Sequence, residues 1–270
     1  KIKVKLNEVF NLKSKLDKKQ ISIINFPLSY KNCFKVSKFN SSKYVIGCLN
    51  LAHRFCMEKK FNGFINCAID KNLISGNKMS GVTEFIAKKS KIKKDTEVMM
   101  LHNNKLSVVP VTTHIKIKEI SKKIKKNLII KKLKTLNSFY KKIFKTKPKI
   151  AVLGLNPHNC ELMRKSEEIK EIIPAIKVLN KEMRLSGPFA ADSFFNKDFK
   201  KYDVIVGMYH DQVLIPFKNF FKYDAINITL GLRYIRVSPD HGTAKNLIKK
   251  NKANPESLLN CIYFLNKFEL

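Results

Sequence analysis

Short apolar runs alternate along this chain with longer stretches in which apolar residues recur at helical intervals. Residues 149–155 (KIAVLGL), 202–208 (YDVIVGM) and 226–232 (INITLGL) predict buried strands, and residues 64–69 predict a further strand. Residues 44–60 have the 3.6-residue periodicity of a helix. Because strand-like and helix-like segments alternate, the predicted fold class is α/β.

The middle of the chain predicts a hairpin followed by a long helix. Residues 98–101 and 106–111 are strand-like and are separated by the turn-prone residues 102–104. Ile117, Ile120, Ile124 and Leu128 then recur at helical spacing, and this spacing continues to residue 143, so we expect one long helix, continuous or interrupted, with lysines on its solvent face. A further helix is predicted to start at residues 166–168, where Pro174 breaks or restarts it.

Polar residues follow two of the predicted strands directly. The sequences Asn156-Pro157-His158 and His210-Asp211-Gln212 stand where these strands end. In open α/β sheets, ligands bind outside the carboxyl ends of the strands. The sequence therefore predicts a functional site at this edge of the sheet.

Three of the six histidines stand at predicted strand ends. His114, His158 and His210 follow strand-like runs, whereas His53 and His102 are interpreted as structural. Three neutral imidazoles with open coordination positions suit a catalytic divalent transition metal, which can bind and acidify a substrate hydroxyl. Each histidine taken singly also fits a core or surface position, so the spacing leaves both interpretations open.

The chain is strongly basic, with 54 Lys+Arg against 21 Asp+Glu and a formal net charge of +33. Only five of the basic residues are Arg, which supplies the planar fork that reads bases and grips phosphates. The lysines are spread over the whole chain, so we interpret them as solvated faces and expect no nucleic-acid partner. A basic nucleic-acid-binding protein on an enzyme fold remains the alternative from another class.

Membrane and secretion signals are missing from the sequence. No apolar run approaches the roughly 20 residues of a membrane helix, and the first residues lack a signal-peptide pattern. The six cysteines form no C-x-x-C pair, as expected for reduced thiols. We therefore expect a cytoplasmic protein with no membrane partner.

Several long strings occur in an order typical of one enzyme family. They are SGVTEFIAKKS (80–90), VTTHIKI (111–117), LNPH (155–158), GPFAADSFF (187–195), YDVIVGMYHDQVLIPFK (202–218), NITLGLRYIRVSPDHGTA (227–244) and KANP (252–255). Over about residues 40–260 the chain resembles the 4-hydroxythreonine-4-phosphate dehydrogenase family of pyridoxal 5'-phosphate biosynthesis. Ordered strings of this length are far more specific than a lone short motif.

The resemblance implies a fold, a reaction and a partner. The fold would be a two-domain α/β fold similar to isocitrate and isopropylmalate dehydrogenases, with the active site between the domains. Residues 1–110 with 225–270 would form the cofactor-side domain, incomplete at its amino end, and 111–224 the metal, substrate and dimerisation domain. The reaction would be NAD- or NADP-dependent oxidation of 4-phosphooxy-L-threonine, followed by decarboxylation. The active site would be shared within a homodimer.

The resemblance also implies the residues of the site. One divalent metal per subunit (Zn, Mg or Co) would be bound by His114, His158 and His210. The phosphorylated substrate would be contacted by Thr83, Lys218, Asn227 and Arg236. The nicotinamide cofactor would be lined by His241, Gly242, Thr243, Ala244 and Asn254. Lys218 and Asp211 are the catalytic candidates, and Asp211 acts either as the general base or by orienting His210.

The sequence departs from the family pattern at several positions. Val82 replaces a substrate-binding histidine, the loop after His158 has no glycine, and residues 67–70 replace a Gly-Pro turn. The family's opening strand and its Gly-Pro-rich loop are also absent. Two alternatives therefore stay open: a sister dehydrogenase acting on a 4-phospho sugar acid such as threonate or erythronate, and an inactive divergent homologue.

Overall fold

A mixed eight-stranded sheet forms the centre of the protein in this computed structural model, which describes residues 5–9, 20–74 and 81–267. In order across the sheet, the strands are β3 (Gly63–Ile65), β10 (Ile235–Pro239), β9 (Ile226–Leu230), β4 (Val98–His102), β5 (Ser107–Thr112), β8 (Val204–Tyr209), β6 (Lys149–Leu153) and β7 (Arg184–Phe189). Two short strands, β1 (Leu6–Glu8) and β2 (Ile21–Ile23), form a separate parallel pair.

Helices cover both faces of the large sheet. They are α1 (Lys38–Met57), α2 (Val82–Lys89), α3 (Ile120–Lys123), α4 (Lys126–Phe144), α5 (Ile173–Leu179), α6 (Ala191–Lys197), α7 (His210–Phe221) and α8 (Glu256–Asn266). Successive strand residues point to opposite faces. Val98 and Met100 therefore join a core with α4, α5 and α8, whereas Met99 and Leu101 join another with α6 and α7. The α/β prediction is confirmed.

Four neighbouring strands, β5, β8, β6 and β7, run parallel. Their carboxyl ends consequently share one edge of the sheet. His114 lies two residues beyond the end of β5, and His210 is the first residue of α7, directly after β8. This is the edge at which the sequence predicted the functional site.

Most of the predicted elements are present, with differences at their ends. β4 and β5 form the expected hairpin. The long lysine-rich helix is interrupted at Ile124 and Lys125, between α3 and α4. The strand predicted over 64–69 ends at Ile65, after which the chain forms a loop. The helix near residue 168 starts as a π-helix (Glu168–Ile172) and continues as α5 from Ile173, so Pro174 lies where the helix changes its hydrogen-bonding pattern.

The predicted division into two domains runs through a continuous sheet. β3, β10, β9 and β4 belong to the first predicted domain, and β8, β6 and β7 to the second. Backbone pairing of β4 with β5 joins the two groups. The division itself stays a prediction. Among the described helices, none has the length and apolar character needed to cross a membrane.

Candidate active site

A cavity of about 300 Å³ lies on one face of the sheet, between the start of α2 and one side of α7. Eight residues predicted for the site line this cavity: Thr83, His114, His210, Lys218, Asn227, Arg236, His241 and Gly242. They come from sequence positions as far apart as 83 and 242. The volume is at the lower end of the range typical of small-molecule sites.

The floor of the cavity comes from polar residues that alternate with apolar ones in β9 and β10. Asn227 is paired with Ser238, and Thr229 with Arg236, across the two strands. The intervening residues, such as Ile228 and Val237, face the opposite, apolar core. Residues two positions apart in a strand point to the same face, so this alternation places the polar side chains on the cavity side.

Arg236 is the buried cation of the floor, with 2% of its surface exposed. Its Nε donates to Asn66 Oδ1 at 2.7 Å, and its Nη1 donates to the hydroxyls of Thr229 at 3.0 Å and Thr83 at 3.4 Å. Burial lowers the pKa of Arg236 to about 10, although the charge of Glu84 acts in the opposite direction. The guanidinium remains charged at neutral pH and is held by neutral partners.

One side of α7 forms a wall of the cavity. His210, Leu214 and Lys218 are spaced four residues apart, and therefore point to the same side of the helix. The Lys218 ammonium lies 3.0 Å from a carboxylate oxygen of Asp240. Burial raises the pKa of Asp240, and the attraction of Lys218 only partly offsets this effect.

The imidazoles of His114 and His210 are neighbours, with their ring centroids 5.6 Å apart and their planes inclined at 42°. Asp211 Oδ1 lies 2.7 Å from Nδ1 of His210, and Glu84 Oε1 lies 3.4 Å from Nδ1 of His114. Burial acts to raise the pKa of Glu84, but the hydrogen bond with His114 and other interactions outweigh it and lower the pKa. The Asp211 side chain is 63% exposed and lines a different cavity.

His158 lies apart from this pair of histidines. It lines a second cavity, of about 610 Å³, together with Asp211, Asp192 and Phe195. Among the residues that the structure describes, no three His, Cys, Asp or Glu side chains are grouped as metal ligands. Within one chain, therefore, the three predicted metal ligands do not meet. Their convergence on one cation stays a prediction.

The turn that carries His158 is held in a rare backbone conformation. Residues 158–162 all have φ between 45° and 56°, the left-handed region that non-glycine residues enter at a cost. The buried carboxylate of Glu168 anchors the start of this turn by accepting from the backbone N–H of Leu155 at 2.8 Å and of Asn156 at 2.9 Å. Residues 158–162 thus adopt the left-handed backbone that glycine favours, although none of them is glycine.

The five predicted cofactor residues occupy different surroundings. His241 and Gly242 line the main cavity, whereas Thr243 lines an adjoining cavity of about 570 Å³ with Asp70 and Lys245. Ala244 has a left-handed backbone before a short 3-10 helix (Lys245–Leu247). The Asn254 side chain accepts from the backbone N–H of Glu256 at the start of α8.

Several lining residues were not predicted from the sequence: Lys71, Glu84, Ser238 and Asp240. Thr229, which accepts from Arg236 in the floor, was not predicted either. The polar–apolar alternation of residues 226–230 and 235–238 was a usable signal for Thr229 and Ser238. Glu84 and Asp240 lie inside the recognised strings but carried no separate signal. Val82 and Cys67, two of the departures from the family pattern, also line the cavity.

Comparisons with known proteins agree with this architecture. The family model described as pyridoxal phosphate biosynthetic protein PdxA matches residues 1–265. A 4-hydroxythreonine-4-phosphate dehydrogenase from Sulfurihydrogenibium sp. (strain YO3AOP1) is 39% identical over 234 residues, covering 85% of this chain and 72% of that protein. A D-threonate 4-phosphate dehydrogenase from Pectobacterium atrosepticum is 31% identical over 245 residues, covering 88% and 74%.

A crystal structure of 4-hydroxythreonine-4-phosphate dehydrogenase from Klebsiella pneumoniae has the same fold. It matches with a TM-score of 0.83 at 28% sequence identity, and the match covers 98% of this chain and 83% of that one. The family model extends over almost the whole length of the sequence. This chain therefore belongs to the family described as pyridoxal phosphate biosynthetic protein PdxA.

Proposed function

We propose that this protein is a metal-assisted, nicotinamide-dependent dehydrogenase that oxidises the C3 hydroxyl of 4-phosphooxy-L-threonine. The product would be 2-amino-3-oxo-4-phosphooxybutanoate, a β-keto acid that can lose carbon dioxide. The observation that carries the proposal is the single cavity lined by eight of the predicted site residues. The activity named for the 39% identical relative supports the choice of substrate.

The charges around the cavity suit a phosphorylated acid. Lys71, Lys218 and Arg236 contribute three positive charges, while Glu84 and Asp240 contribute two negative ones. A phosphate monoester carries a charge of about −1.5 to −2 at neutral pH. Arg236 offers a fork for phosphate or carboxylate, and Asn227 and Thr83 supply directed hydrogen bonds. A bound divalent cation would make the site more positive and so complement the negative charge of such a substrate.

The two neighbouring imidazoles fit a divalent cation. A zinc–imidazole nitrogen bond is about 2.0–2.1 Å, so the centroids of two rings on one ion lie roughly 5–6 Å apart. The observed separation of 5.6 Å agrees with this value. Imidazole ligands favour zinc or cobalt over magnesium. When bound, the cation would polarise the substrate hydroxyl and lower its pKa, so that water could accept the proton.

The third histidine supports a shared site in a homodimer. His158 lines the second cavity beside α7, and close to it Ile215 is 66% exposed and Phe220 47% exposed. A second copy packed on this apolar surface would cover both side chains and bring its own His158 toward the partner's imidazole pair. Two observations thus support a dimer: the exposed apolar side chains beside α7, and the distance of His158 from the other two histidines of its own chain.

The polar residues of the cavity would divide the chemistry between them. The Asp211 carboxylate contacts His210 from outside the cavity, which favours an orienting role over that of general base. Lys218, held by Asp240, would bind an anionic group of the substrate. His241 and Gly242 would line the nicotinamide, with Thr243, Ala244 and Asn254 further along the dinucleotide. The nicotinamide would accept the hydride.

Reduction of NAD and NADP by the protein with 4-phosphooxy-L-threonine tests the reaction directly. We expect activity that a chelator removes and that zinc or cobalt restores, and expect little activity in the H114A and H210A variants. H158A and H114A should each be inactive alone and regain activity when mixed, because one site of a mixed dimer keeps all three histidines. Absence of cofactor reduction with every metal would refute the proposal.

D-threonate 4-phosphate is the second candidate substrate. Val82 lines the cavity where the family pattern has a substrate-binding histidine, and a relative named for that substrate is 31% identical. Valine offers no hydrogen bond to the substrate. Comparing kcat/KM for the two substrates in the wild-type protein and in V82H decides between them.

A further inference from the structure

Both imidazoles of the neighbouring pair meet a carboxylate at the same ring nitrogen. Asp211 contacts Nδ1 of His210 at 2.7 Å, and Glu84 contacts Nδ1 of His114 at 3.4 Å. In each ring Nε2 is the nitrogen left for another partner. An imidazole whose Nδ1–H is held by a carboxylate has a fixed tautomer, with the lone pair on Nε2.

Glu84 reaches His114 from the first turn of α2. This helix starts at Val82, directly after Gly81, and packs its buried residues Phe85 and Ile86 into the core. The other carboxylate oxygen of Glu84, Oε2, lies 3.2 Å from the position that a Cβ on Gly81 would occupy. The side chain is therefore confined between the helix start and the imidazole, and has little freedom to turn away.

We propose that Glu84 is a positioning residue that fixes the His114 imidazole for the divalent cation, as Asp211 does for His210. The inference rests on the proposed function, since it assumes that a cation binds between the two rings. Carboxylate partners of ligating histidines orient the ring and raise its basicity, and their loss typically weakens metal binding 10–100-fold. Glu84 would contribute through His114 without touching the substrate.

A role confined to helix stability is the competing explanation. An acidic residue in the first turn of a helix stabilises it through the helix dipole, whatever lies beyond its carboxylate. Glu256 provides a matched control, because it occupies the first turn of α8 and is exposed. The change Glu256→Gln removes the same kind of charge from a helix start away from both imidazoles.

Metal binding by the wild-type chain and by E84A, E84Q and E256Q tests the inference. Zinc and cobalt affinities are measured by chelator competition, and the absorption spectrum of bound Co²⁺ reports its coordination. We expect E84A to bind about 10–100-fold more weakly, with an altered Co²⁺ spectrum. E84Q should recover part of the loss, because its amide oxygen still accepts from Nδ1–H, and E256Q should match the wild type.

The possible results separate the inference from the proposed function. Wild-type affinity and spectrum in E84A would overturn the role of Glu84 while leaving the dehydrogenase intact. An equal loss in E84A and E256Q would also overturn it, in favour of helix stability. If E84A does not fold, E84Q decides: an affinity below that of E256Q supports the role of Glu84, and wild-type affinity and spectrum overturn it. A wild-type chain that binds no cation would instead refute the metal site of the proposed function.

Discussion

Replacing Arg236 with methionine should separate ligand binding from stability. Arg236 is 2% exposed, and its three hydrogen-bond partners are the neutral side chains of Asn66, Thr83 and Thr229. A buried cation that no carboxylate contacts directly, and that the nearby charge of Glu84 offsets only in part, is costly to desolvate, and a residue whose main purpose was stability would not need this charge. The charge is explained if its partner is the anionic substrate.

The expected change in stability is small because two terms oppose each other. Loss of three hydrogen bonds costs about 3 kcal/mol, at about 1 kcal/mol each. Removal of a buried charge recovers several kcal/mol of desolvation. The free energy of unfolding of R236M should therefore stay within about 1–2 kcal/mol of the wild type. For a chain of this size, each 1 kcal/mol changes Tm by about 2–4 °C.

Thermal unfolding with and without inorganic phosphate measures both effects. Phosphate at 100 times its Kd should stabilise the wild type by about 2.7 kcal/mol, and R236M should lose most of this gain. R233M is the matched control, since Arg233 is exposed just before β10. A fall in Tm of more than about 10 °C in R236M, or an undiminished response to phosphate, would refute the reasoning.

Three further predictions concern stability. Glu161→Gly should raise the free energy of unfolding by about 1 kcal/mol, because φ is 45° at this position; a lower Tm would contradict the left-handed turn. Glu168→Ala should cost about 3 kcal/mol in chemical denaturation, since it leaves the part-buried N–H groups of Leu155 and Asn156 without their charged acceptor, whereas Glu182→Ala at the surface should cost little. Burial between Phe144 and Phe264 lowers the pKa of His102 to about 4. As the pH falls, the unfolded chain therefore protonates this imidazole near pH 6.5, whereas the folded chain protonates it only near pH 4. Stability should thus fall by up to about 3 kcal/mol as the pH drops through this window, and His102→Gln should flatten that part of the pH profile; an unchanged profile would contradict a buried neutral imidazole.

The fold class and most of the elements could be predicted from the sequence alone. Apolar runs such as 149–155 and 202–208 predict strands because both faces of a central strand are buried, and this is what the sheet shows. The ordered strings identified the family, and the family model confirms it. Strand ends were less certain: the run at 64–69 stops at Ile65, where β3 ends at the margin of the sheet beside β10.

Which polar residues act together became clear only from the folded chain. Glu84 and His114 are 30 positions apart, and Lys218 and Asp240 are 22 apart, so no local pattern could pair them. The alternation in β9 and β10 shows that one face is polar, but the pairing of Thr229 with Arg236 depends on strand register. The separation of His158 from the other two histidines depends on the turn after β6 and on the packing of α7. Periodicity reports how each segment is buried, whereas contacts between distant segments follow from how the whole chain packs.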